Sequence, residues 1–177
     1  MTDSNSREAV AYHEAGDAVI SMKLGYRCLY VTIIPDGDRL GHVCCEDPLV
    51  RGHHDKIEHA LKVLIAARLA EGRQVGSGEG WGDADDRVKA TNLALLATDR
   101  DTERAEALLD EMVSEARKLV EKYWPDIEEL AEQLLIEGRI NFLQTGRGIE
   151  RGGCHQHGAP PRPFLGRAPR WSILSKE

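Results

Sequence analysis

Small and apolar residues recur at helical spacing near the start of the chain. Ala11, Ala15, Ala18 and Met22 form one stripe over 6–24, and His13, Asp17 and Ile20 form an adjacent one. This spacing predicts a helix with Ser6 as N-cap, Glu8 in its first turn and Gly25 as its stop. The small side chains suit close packing against a neighbour. The pattern then turns β-branched over 27–35, bounded by Gly25 and Pro35, which predicts a strand. Asp36-Gly37-Asp38 supplies turn chemistry, and 40–45 reads as a second, shorter strand. The two strands make a hairpin or the edge of a small sheet.

Helical periodicity returns over 54–70, where Ile57, Leu61, Leu64, Ile65 and Leu69 define a buried face and Gly72 closes the helix. A glycine-rich loop follows, with Gly76, Gly78, Gly80 and Gly82. It lacks the Lys-Ser/Thr ending of a phosphate-binding loop, so no nucleotide site is assigned to it. A third helix begins at 83–86 and runs to 98. The acids Asp83, Asp85 and Asp86 at its start suit the helix dipole. The strictest stripe spans 102–123, with Ala105, Leu108, Leu109, Met112, Val113, Ala116, Leu119, Val120 and Tyr123. Trp124-Pro125 breaks it, and Pro125 opens a further helix that carries Ile127, Leu130, Ala131, Leu134 and Leu135 and stops at Gly138. These last two helices read as core. The fold class is therefore mainly α with a small β hairpin or sheet.

Composition narrows the function. The chain of 177 residues is long enough for one domain with a real core plus a tail. Its net charge of −7 argues against nucleic acid as the main partner. It contains no apolar run long enough to cross a bilayer, and its first residues lack the pattern of a signal peptide, so a cytoplasmic location is the expectation. Cys28, Cys44, Cys45 and Cys154 form no CxxC pair, and reduced thiols are expected. From Thr145 the composition shifts to Gly, Pro and Arg. The division expected is 1–145 as a folded domain and 146–177 as a tail, disordered by itself. Cys154, His155 and His157 offer metal-binding side chains in that tail, but they have no second half elsewhere and read better as solvated.

Candidate chemistry concentrates on the first helix, in His13-Glu14-Ala15-Gly16-Asp17. The zinc-helix pattern H-E-x-x-H places two imidazoles on one helix face around a general-base Glu. Here the first two positions stand and the fifth is Asp17. A solvated or salt-bridged helix face is the plain alternative, but Ala15, Gly16 and Ala18 make this turn fit for close approach.

The run Ala11-Tyr12-His13-Glu14-Ala15-Gly16 is very similar to the HEAGH zinc helix of the FtsH-type AAA proteases. Val31-Thr32-Ile33-Ile34-Pro35 followed by Leu40-Gly41 resembles the strand pair after that helix. Ala66-Ala67-Arg68-Leu69-Ala70-Glu71 resembles the GGRAAE helix end, and Gly82-Asp83-Ala84-Asp85-Asp86-Arg87-Val88-Lys89-Ala90-Thr91 resembles GASNDLERAT. The likeness covers about 7–145 in order and spacing. It implies the helical zinc-metallopeptidase domain of the FtsH type, with zinc as cofactor and a polypeptide as substrate. The metal ligands would fall on His13, Asp17 and Asp86, and the general base on Glu14. Glu14 would take the proton from a metal-bound water and pass it to the leaving amine. The strand at 31–34 would align an extended peptide by strand addition.

Two features depart from the family. Asp17 replaces the second imidazole, which brings the ligand closer to the backbone and adds negative charge. Less positive charge then remains to acidify a bound water. His42, His53, His54 and His59 are alternatives for the missing imidazole, although their spacing recommends none of them. The sequence also shows no Walker motif and no membrane span, so a stand-alone protease domain is expected, with room for a separate ATPase partner and for homo-oligomerisation. Two readings result. One is a zinc metalloendopeptidase with an altered ligand set. The other is a catalytically impaired relative that binds peptides or proteins.

Overall fold

A computed structural model describes residues 3–45, 54–76 and 84–142. The tail expected at 146–177, the cluster Cys154, His155 and His157, and His53 all lie outside the described residues. Along the chain the elements are α1 (Asp3–Lys23), β1 (Cys28–Thr32), β2 (His42–Cys45), α2 (His54–Val75), α3 (Ala84–Ala97), α4 (Thr102–Glu137) and β3 (Arg139–Asn141). The architecture is mostly helical with a small antiparallel sheet, as the sequence pattern indicates. No described helix is long and apolar enough to cross a membrane.

The core forms where α1, α2 and α4 meet. Ala11, Ala15, Ala18 and Val19 of α1 are fully buried, together with Leu61 and Ile65 of α2 and Ile127, Leu130 and Leu134 of α4. The α1–α2 contact is the tightest of these. A Cβ added to Gly16 would lie 2.9 Å from Ala70 Cβ, 3.1 Å from Ala67 Cα and 3.2 Å from Ala66 O. Only a glycine facing alanines permits that approach. It sets His13, on α1, opposite the end of α2.

α1 starts at Asp3, ahead of the expected Ser6 cap, and ends as expected. Gly25 has φ +89°. The Tyr26 amide donates to Ser21 O and the Gly25 amide to Met22 O, the paired bonds that close a helix on a left-handed residue. α2 continues through Gly72 and ends at Val75, with Gly76 at φ +66°. Tertiary contacts carry it past Gly72: Arg73 lies over the Trp124 ring at 4.1 Å, and Gln74 donates to Glu8 at 2.8 Å. α4 is continuous across Pro125, yet Tyr123 is non-helical (φ −107°, ψ 15°), so the break expected there is a kink. The kink turns Trp124 onto Tyr12, with stacked rings 5.6 Å apart.

The sheet has the order β2-β1-β3. β1 pairs antiparallel with β2 through Val31 opposite Val43, and with β3 through Val31 opposite Ile140. β3 is absent from the sequence reading because Arg139-Ile140-Asn141 is too short to show a pattern. Gly138 at φ +73° ends α4 and turns the chain back onto β1. Its carbonyl then accepts from the Ile33 amide at 2.8 Å and from Thr32 Oγ1 at 3.1 Å. β1 is central and paired on both sides as far as Thr32, so that part of the run expected to align a peptide has no open edge. The register sets Cys28 opposite Cys45 across β1 and β2, a proximity that spacing alone does not show.

Replacing Gly16 by Ala is expected to destabilise the fold by about 1–3 kcal/mol, the usual cost of forcing a methyl into a closed contact. Urea denaturation followed by circular dichroism measures it. An unchanged midpoint would show that α1 and α2 can part without cost.

Candidate active site

α1 places His13, Glu14 and Asp17 beside the end of α2, and all three are partly buried. His13 Nδ1 is 3.0 Å from Glu71 Oε2. That same oxygen accepts from Arg68 Nη1 at 2.9 Å. Arg68 Nε donates to Asp86 Oδ2 at 2.5 Å, and Lys89 Nζ donates to Asp86 Oδ1 at 3.0 Å. A continuous chain of alternating charge therefore runs from α1 through α2 to α3. His13 and Asp86 are its two ends, and they are joined through Glu71 and Arg68 rather than directly.

Glu14 and Asp17 lie outside this chain. Glu14 is held against the start of β2, where a Cβ on Gly41 would fall 2.5 Å from Glu14 Oε1. Only glycine at 41 leaves room for the carboxylate. Asp17 accepts from Ser21 Oγ at 3.2 Å, one turn along α1.

Burial and neighbours set the protonation states. Burial pushes the Glu14 carboxyl up to about 7, with adjacent Asp17 adding to the rise and His13 opposing it. Burial likewise lifts Asp17 to about 6 against the opposing pull of His13 and Ser21. For His13, burial disfavours the charged ring, but the Glu71 hydrogen bond and the charge of Glu14 outweigh it, and the pKa is raised. Burial also works against ionised Glu71 and Asp86. The His13 bond and Arg68 overcome it at Glu71, and bonds from Lys89 and Arg68 overcome it at Asp86, so both pKa values are lowered. The site thus holds two readily ionised carboxylates paired with cations and two carboxyls that resist ionisation.

Zinc requires several deprotonated ligands converging at roughly 2.0–2.3 Å on one point. Among the described residues, no three His, Cys, Asp or Glu side chains form such a group. Both Asp86 oxygens already face cations, and His13 presents Nδ1 to Glu71. The Asp17 carboxyl holds its proton more tightly than a typical carboxylate. In this arrangement His13, Asp17 and Asp86 do not fit a zinc ion. Of the alternative histidines, the two whose side chains are described have other partners. His42 is on β2 against the Tyr30 ring at 5.7 Å, and His59 bonds the Tyr26 hydroxyl at 2.7 Å.

The sequence alone assigns no role to Arg68, Glu71, Lys89 or Ser21. Arg68 and Glu71 stand in the helix end that resembles GGRAAE, which was the available signal. Their link to Asp86 spans 18 positions between Arg68 and Asp86, and only the fold reveals it.

Comparison with known proteins agrees with the architecture. The sequence profile of peptidase family M41 matches residues 1–100. The ATP-dependent zinc metalloprotease FtsH of Mesomycoplasma conjunctivae is 35% identical over 100 residues, a match that covers 51% of this chain and 13% of that protein. The chain therefore corresponds to a small part of that relative's length. With the profile matching more than half of its residues, His13-Glu14 and Asp17 on α1 and the mostly helical fold around them, the chain belongs to peptidase family M41.

Proposed function

We propose that this chain is a polypeptide-binding member of its family in which zinc-dependent peptide hydrolysis is lost or strongly weakened. One observation carries the reading: Asp86, which the family resemblance makes a metal ligand, has Arg68 on one oxygen and Lys89 on the other. Asp17 supports it. A second carboxyl, bonded by Ser21, takes the place of an imidazole, so the set loses a neutral nitrogen ligand. Peptide alignment by strand addition belongs on β2 in this reading. Among the described residues the only strand partner of β2 is β1, and Gly41, which brings Glu14 close, immediately precedes it. Ile34 and Leu40, both more than half exposed, give the same region an apolar rim.

A second, hydrolytic reading draws on Glu14. A carboxyl pushed up to about 7 has the proton affinity of an effective general base near neutral pH. In that reading a separate ATPase would deliver unfolded chains, and homo-oligomerisation would follow the FtsH pattern.

Labelled unfolded casein separates the two. The first reading expects binding, read by fluorescence anisotropy, that persists in EDTA. It also expects little or no cleavage of casein in ZnCl2, and a gain of zinc-dependent cleavage in Asp17→His that Glu14→Gln removes by roughly a hundredfold or more. Zinc-dependent cleavage by the parent chain that disappears in Glu14→Gln would replace the first reading with the second.

The buried carboxyls also dictate a pH dependence. Glu14 and Asp17 titrate at about 7 and about 6 in the folded chain, above their ordinary values of 4.5 and 3.8. Their contribution to stability is complete below the ordinary values and is lost as pH rises through the raised ones. His13, also raised, acts in the same direction. Glu71 and Asp86 act oppositely, but only as pH falls through their lowered values. The urea midpoint is therefore expected to fall between about pH 5.5 and 8, and Asp17→Asn is expected to flatten that slope. A midpoint that rises over the same interval would contradict the buried state of these groups.

A further inference from the structure

Arg68, which stands at the arginine of the GGRAAE-like helix end, lies at the centre of the arrangement found here. Its guanidinium contacts Glu71 on its own helix and Asp86 on α3, while Glu71 reaches His13 on α1. The Asp86 side chain is 8% exposed and that of Arg68 is 20% exposed, whereas that of Lys89 is 65% exposed. Arg68 is therefore the cation that compensates Asp86 away from solvent, and Lys89 adds a screened surface contact. A planar guanidinium that donates from Nη1 to one carboxylate and from Nε to another is fixed in direction as well as charge.

We propose that Arg68 is the resident cation of this centre: it ties α1, α2 and α3 together through Glu71 and Asp86, and its charge keeps Asp86 from a divalent metal. The physical reason is competition for one carboxylate. A dication brought to Asp86 would sit beside Arg68 and Lys89 and be repelled by both. With two imidazoles opposite, a metal could overcome that repulsion. With Asp17 in place of one of them, the guanidinium keeps the carboxylate. Arg68 is on this account a positioning residue, and the inference rests on the reading of a metal-independent centre.

The test compares the parent chain with Arg68→Gln and Arg68→Lys, using ZnCl2 as probe in isothermal titration and thermal melts. The parent is expected to bind zinc weakly and to melt at the same temperature with or without EDTA. Arg68→Gln is expected to melt lower by roughly 5 °C or more, to bind zinc at least about tenfold more tightly, and to recover stability when zinc is added. Arg68→Lys keeps the charge without the two-carboxylate bridge, so it is expected to lie between the two. If Arg68→Gln folds only when refolded with ZnCl2, that also supports the proposal. Zinc affinity unchanged or weaker in both variants overturns it, as does a parent chain whose melting temperature falls on chelation. Casein binding is measured on the same parent protein, so loss of the peptide-binding reading and loss of the Arg68 role register as separate results.

Discussion

The spacing between α1 and α2 governs the centre, and Gly16 sets that spacing. Its missing side chain lets α1 lie directly on Ala66, Ala67 and Ala70 of α2. At that distance His13 reaches Glu71, and Arg68, one turn before Glu71, can turn toward α3. A larger residue at position 16 would meet Ala66, Ala67 and Ala70, push the helices apart and lengthen the His13–Glu71 contact. The small-residue stripe of α1 is thus as much a condition of the site as its charged residues. The α4 kink supports the same junction from the other side, by stacking Trp124 on Tyr12, the residue next to His13.

Electrostatics then divides the site into two parts. Along His13, Glu71, Arg68, Asp86 and Lys89, opposite charges alternate and stabilise one another despite burial. Among the described residues Glu14 and Asp17, one turn apart on α1, have no comparable cation, and burial raises both pKa values. A metal at the family's position would have to draw ligands from both parts. From the first it would need Asp86 released by Arg68 and Lys89, and from the second it would need Asp17 turned from Ser21. Both requirements oppose binding. The replacement of an imidazole by Asp17 and the ion pairing of Asp86 therefore point the same way.

Much of this was legible in the sequence, for physical reasons. Helices with a strict apolar stripe, such as 102–123, carry their burial pattern in their own spacing. The break at Trp124-Pro125 follows from the missing proline amide. His13, Glu14 and Asp17 share one helix, so local periodicity was enough to group them. What depended on distant partners was not legible. Gly72 looked like a stop because nothing local shows Arg73 docking on Trp124. β3 exists only because Gly138 returns the chain to β1, and its pairing closes the edge that the β-branched run seemed to offer. The placing of Cys28 opposite Cys45 follows from strand register, which spacing alone does not set. Asp86 lies at the start of its helix, but its partner Arg68 lies on another helix, and the ion pair that changes its chemistry is a product of the fold.

The central claim is that a guanidinium, and not a metal, occupies the meeting point of α1, α2 and α3. A crystal structure of the chain grown with excess ZnCl2, with anomalous scattering recorded at the zinc edge, tests it most directly. The account predicts Arg68 between Glu71 and Asp86 and no anomalous peak at His13 or Asp86. A peak at bonding distance from both His13 and Asp86, with Arg68 turned away from Asp86, would contradict it.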